Sequence, residues 1–74
     1  MKNKNKIAII GAGYWGKNLV RNFHQLGVLK TVCDADTNIR QQLKKDYPDI
    51  HVTSKEKEIF EDQAIDAVVI AAPA

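Results

Sequence analysis

Seventy-four residues allow one small domain, near the size at which a single hydrophobic core only just suffices. Hydrophobic residues at 45% and charged residues at 27% describe an ordinary globular chain, and a net charge of +2 is too small to argue for a nucleic-acid partner. The single cysteine, Cys33, excludes an internal disulfide and a cysteine-rich metal site, and the longest apolar run, Ala67 to Ala72, is too short to span a bilayer.

The chain opens on MKNKNK, basic but with no apolar h-region behind it, so no signal peptide is read and the cytoplasm is the expected compartment. Lys2, Lys4 and Lys6 read as a solvated lead-in to a strand. Lys6 to Ile10 is a short apolar run ending in glycine, as a buried parallel strand should be. From Tyr14 to Leu26 the period becomes helical, with Trp15, Leu19, Phe23 and Leu26 on one stripe and Lys17, Asn18 and Arg21 off it; Gly27 closes the helix.

Val28 to Cys33 reads as the second strand, with Cys33 a small buried thiol at its end. Asp36 or Thr37 caps the next helix, along which Ile39, Leu43 and Tyr47 recur before Pro48 stops it. Ile50 to Thr53 is a third strand. Ser54 is expected to cap a brief helix, Lys55 to Glu61, that turns Ile59 and Phe60 inward. Ala67 to Ala72 is a fourth strand, apolar on both faces, and Pro73 ends it.

The order β-α-β-α-β-α-β predicts an α/β fold, a parallel sheet with right-handed crossovers and strand order 3-2-1-4. This is a partial doubly wound, Rossmann-type sheet. Its fourth strand would be an open edge, and such an edge recruits partners, so a homodimer or larger assembly through that strand is expected.

The glycines of IIGAGYWG fall in the spacing G-x-G-x-x-G, weak by itself but here placed after a strand, opening a helix, inside a strand-helix-strand unit. Asp34 ends the second strand at close to the ~20-residue distance the fingerprint requires. Gly11 permits the tight turn, Gly13 lets a pyrophosphate approach the backbone, and Gly16 lets helix and strand pack closely. Backbone N–H groups around Tyr14 and Trp15, with the helix dipole, suit phosphate. Asp34 accepts from the adenosine ribose hydroxyls and repels a 2′-phosphate. No arginine stands beside it, the next residues being Ala35 and Asp36, so NAD is preferred over NADP. FAD proteins share the fingerprint, and a plain turn with Asp34 as a strand-end cap is the structural alternative.

GAGYWGKNLVRNF, VCDAD and VVIAAPA together resemble the N-terminal part of the glucose-fructose oxidoreductase and inositol dehydrogenase (Gfo/Idh/MocA) family. Within it the resemblance runs toward dehydrogenases of UDP-N-acetylhexosamine derivatives in surface-polysaccharide biosynthesis. It implies that Gly11, Gly13 and Gly16 form the phosphate loop, with Tyr14 and Trp15 lining the cofactor cleft, although Trp15 reads equally as a core anchor for the first helix. It also implies that Asp34 is the ribose acid, and that Ala71, Ala72 and Pro73 form the turn running beside the cofactor. The family's catalytic Glu-Lys-Pro motif and histidine, and its second domain, would lie beyond Ala74. Residues 1–74 are therefore expected to be a truncated NAD-binding domain without catalytic residues or metal ligands. His24 and His51 are read as structural or exposed. The reading from another functional class is a stand-alone module that senses NAD(H) without turning it over.

Overall fold

The computed structural model describes residues 5–13 and 16–71. Seven elements alternate along them: β1 (Ile7–Ile10), α1 (Gly16–Gln25), β2 (Leu29–Cys33), α2 (Thr37–Asp46), β3 (His51–Thr53), α3 (Glu56–Phe60) and β4 (Ala67–Ile70). The strands form one parallel sheet in the order β3-β2-β1-β4, with Ile9 opposite both Val32 and Val69. The expected α/β fold and strand order are both present.

Alternation along the strands divides the core in two. On one face Ile9, Val32 and Val52 pack with Val20 of α1 and Leu43 of α2. On the other, Ala8, Ile10 and Cys33 meet Ile59 of α3. Two helices therefore cover one face and a single short helix the other, as right-handed crossovers in this strand order require.

Local signals explain the helix ends. Gly27 takes a φ of 77°, and its N–H bonds to the His24 carbonyl while that of Val28 bonds to Phe23, which closes α1 with a Schellman turn. Asp36 caps α2, its carboxylate accepting from the N–H groups of Asn38 (2.8 Å) and Ile39 (3.3 Å).

Three expectations need correction. Leu26 is 64% exposed, because α1 ends at Gln25 and the chain turns away; the inward position belongs to Val20, which is fully buried. Phe60 is also 64% exposed. A helix of five residues can turn only one position fully inward, and Ile59 takes it. Ser54 does not cap α3: Lys55 occupies the cap position with no side-chain hydrogen bond. Strand β4 ends at Ile70, with Ala71 just beyond it, its N–H bonded to the Ile10 carbonyl at 2.8 Å.

Candidate functional site

In a parallel sheet the carboxyl ends of the strands open on one crevice, and ligands bind there beside the point where the strand order reverses. In this chain that edge carries the β1–α1 turn, the β2–α2 turn and the start of the segment after β3. An open cleft lies among them, lined by Ile10, Gly11, Cys33, Asp34, Ala35, Ser54 and Glu56.

The glycine turn is built by steric necessity at two positions. Gly11 leaves β1 with a φ of 95°, a conformation that side chains disfavour. At Gly16 a Cβ would sit 2.0 Å from the Gly11 carbonyl oxygen and 2.8 Å from its carbon, so the first turn of α1 lies directly on the backbone leaving β1. Gly13 differs: among the described residues a Cβ there would meet only Ile39 Cδ1, at 4.0 Å. Packing among the described residues does not demand the missing side chain at Gly13, which lines a groove between α1 and α2. The Gly13 carbonyl accepts from the Lys17 N–H (3.1 Å) to start the helix.

Asp34 joins the two turns. Its Oδ2 accepts from the Ala12 N–H at 2.8 Å, and its Oδ1 accepts from the Asp36 N–H at 2.9 Å. The acid at the end of β2 thus holds the glycine turn of β1, with the carboxylate half-buried at the rim of the cleft. Cys33 is buried beneath it; burial first, then the negative charges of Glu56, Asp34 and Glu58, push its thiol above the usual 9.0 and keep it a neutral floor.

Gly11 and Asp34 share the cleft, Gly16 packs on the Gly11 carbonyl, Gly13 lines the groove between α1 and α2, and Ala71 Cβ lies 3.5 Å from a Cβ built at Gly16. Tyr14, Trp15, Ala72 and Pro73 lie outside the described residues. His24 bonds to Asp49 at 3.0 Å and His51 to Glu58 at 2.8 Å; neither lines the cleft.

Sequence reasoning missed Ser54 and Glu56, although the end of β3 opens on the same crevice as the ends of β1 and β2. It also missed Arg40, whose Nη1 donates to the Asp34 carbonyl at 2.8 Å and whose Nη2 donates to Thr37 Oγ1 at 3.2 Å. An arginine does stand beside Asp34, brought there by the first turn of α2 and not by chain adjacency. The signal was available, because side chains in a helix lean toward its N-terminus.

A turn with two sterically required glycines, an open third glycine and a strand-end acid tied to it fits a dinucleotide: backbone donors for phosphate and a carboxylate for ribose. The class is an α/β nucleotide-binding domain of the Rossmann type. The family model described as an oxidoreductase family with an NAD-binding Rossmann fold, Gfo/Idh/MocA, matches residues 5–74, and the chain belongs to that family.

No protein of curated function matches the chain. Solved structures do; one is the crystal structure of a provisionally assigned oxidoreductase from Klebsiella pneumoniae, with a TM-score of 0.75 and 29% identity over 97% of this chain. The chain spans 21% of the length of that protein.

Proposed function

We propose that this chain is the NAD-binding portion of an oxidoreductase acting on a sugar or sugar nucleotide, with hydride passing between a sugar carbinol carbon and nicotinamide. The observation that carries the cofactor half of this reading is the Asp34 carboxylate bonded to the Ala12 N–H within the glycine turn. The sugar half rests on the resemblance of the GAGYWGKNLVRNF and VVIAAPA runs. The cofactor supplies the redox chemistry when bound; the chain's residues bind and orient it.

In this reading Gly11, Gly13 and Gly16, with Tyr14 and Trp15, hold the pyrophosphate. Asp34 selects NAD through its ribose hydroxyls, and Ala71, Ala72 and Pro73 run beside the nicotinamide half. The 74 residues bind cofactor weakly and without turnover, in the cytoplasm, where the NAD pool is available. Partners pair along β4, whose second edge has no strand beside it among the described residues and whose Ile70 is 67% exposed.

Titration with NADH, followed by its fluorescence and competed with NAD, tests the reading. Saturable binding reversed by NAD is the expected result. An absence of binding by a chain that melts cooperatively contradicts it.

A further inference from the structure

The cleft runs across three strand ends, and the reading above uses two of them. Gly11 leaves β1, Asp34 follows β2, and Ser54 and Glu56 line the third side, just beyond β3. The floor between them offers no charge: Ile10 and the Cys33 thiol are buried there. Neighbouring strands of a sheet lie about 4.8 Å apart, so each strand end is one step along an extended nucleotide. With the pyrophosphate on the β1 turn and the ribose on Asp34, the base, attached to the far side of the ribose, falls toward the end of β3.

Glu56 meets it there with an unused carboxylate. The two acids in the first turn of α3 differ. Glu58 accepts from His51 at 2.8 Å and from Thr53, whereas the Glu56 carboxylate has no hydrogen-bond or ion-pair partner among the described residues. Its negative charge nevertheless reaches the cleft floor, where it raises the Cys33 thiol more than the charge of Asp34 does. An ionised carboxylate accepts hydrogen bonds and donates none, while the Ser54 hydroxyl does both. Glu56 therefore distinguishes bases by the sign of the group they present, and Ser54 does not. Adenine presents a 6-amino group, a donor. A 6-oxo purine presents a carbonyl oxygen at the same position, which a carboxylate repels.

We infer that Glu56 reads the base of the bound dinucleotide, accepting a hydrogen bond from the 6-amino group of adenine and disfavouring 6-oxo purines. The inference rests on the NAD-binding reading and deepens it at the base.

The test measures dissociation constants of NADH and of its hypoxanthine analogue, deamino-NADH, by the fluorescence of the reduced nicotinamide that both carry. The proteins are the 74-residue chain, Glu56→Ala, Glu56→Gln and Glu58→Gln; Glu56 is exposed, so its variants should fold, and circular dichroism melts check this. The wild-type chain should bind NADH at least about fivefold tighter than deamino-NADH, because the hydrogen bond at stake has a charged acceptor. Glu56→Ala should remove that preference by weakening NADH. Glu56→Gln, whose amide both donates and accepts, should bind the two nucleotides comparably. Glu58→Gln removes a charge from the same helical turn but does not line the cleft, and it should keep the wild-type ratio. Equal affinities in the wild-type chain overturn the inference. So does a preference for NADH that survives Glu56→Ala, the result expected if Glu56 only supports α3 and both affinities fall together. A ratio that collapses equally in Glu58→Gln assigns the preference to the field of the helix and overturns it too. Failure of the wild-type chain to bind either nucleotide overturns the NAD-binding reading itself, and this inference with it.

Discussion

Asp34 Oδ2 accepts a hydrogen bond from the Ala12 N–H at 2.8 Å, so the acid that ends β2 also fixes the glycine turn that follows β1. Ala12 is itself buried, and its N–H would lose its partner if the carboxylate were removed. Bonds to charged groups contribute ~1.5–3 kcal/mol, and each 1.4 kcal/mol is about tenfold in an opening equilibrium. Asp34→Ala should therefore speed amide exchange at Ala12 by about tenfold or more. Exchange at Ala12 unchanged in the variant would show that the turn holds its shape without Asp34.

Two glycines of one motif should respond to alanine in opposite ways. At Gly16 the new Cβ would lie 2.0 Å from the Gly11 carbonyl oxygen, so the helix must move off the strand; overpacking of this kind costs about 3 kcal/mol or more. In a domain whose whole stability is of order 5 kcal/mol, Gly16→Ala should lower the melting temperature by about 12 degrees or more. At Gly13 the new Cβ meets, among the described residues, only Ile39 Cδ1 at 4.0 Å and its φ is not positive, so Gly13→Ala should melt within a few degrees of wild type. It should nevertheless weaken NADH binding at least tenfold by occupying the space of the pyrophosphate. Equal loss of stability in both variants would remove the distinction.

The covered face of α1 gives a third comparison. Val20 is fully buried against Ile9, Val32 and Leu43, whereas Leu26 is 64% exposed past the end of the helix. Val20→Ala removes two methyl groups from a packed site and should cost about 2 kcal/mol at ~0.8 kcal/mol per buried carbon plus the cavity. Leu26→Ala should stay within ~0.5 kcal/mol of wild type. Urea denaturation of both variants decides the matter, and a larger loss at Leu26 would contradict the packing described.

What was legible follows from what each signal encodes. Strand runs ending at Gly11 and Asp34, the closing Gly27 and the capping Asp36 are local chemistry, and each element they bound appears where it was expected. The parallel order 3-2-1-4 follows from alternation and crossover handedness, and it too is present. Errors came where an element is too short for its period to be read. Phe60 and Ile59 are adjacent in a five-residue helix, and only the position of β2 and β1 beneath it selects Ile59. Arg40 beside Asp34 was missed because a contact between a helix turn and the preceding loop is invisible to a reading of chain neighbours.

Acid should weaken the fold through three carboxylates, the exposed Asp49 and Glu58 and the half-buried Asp62. The His24 hydrogen bond holds Asp49 below its ordinary 3.8, the His51 bond, with one from Thr53, holds Glu58 below 4.5, and the Lys30 bond, with the Ala64 N–H, holds Asp62 below 3.8. Each is depressed in the folded state, so its contribution is present above the unfolded value and is lost as pH falls through the folded one. The melting temperature should be flat on this account from pH 7 to about 5 and drop below about pH 4.5. Asp62→Asn should flatten part of that drop.

Cys33 behaves in the opposite sense. Its raised thiol keeps the proton in the folded chain after the unfolded chain has lost it, so stability declines as pH rises through 9.0. Because the side chain is buried, alkylation of native protein at pH 8 should be slow and should accelerate in urea in step with unfolding. Cys33 reacting as fast in native protein as in urea would contradict its place on the cleft floor.

On the proposed function, the cleft between the β1–α1 and β2–α2 turns holds a dinucleotide. The most direct test is to add NAD to uniformly 15N-labelled protein and follow the backbone amides by NMR. Saturable shifts are expected at Gly11, Ala12, Gly13, Asp34 and Ala35, with the amides of Glu58 to Phe60 and of Ala67 to Val69 little moved. Saturable shifts confined to α3 and β4, or none at the glycine turn of a folded chain, would contradict it.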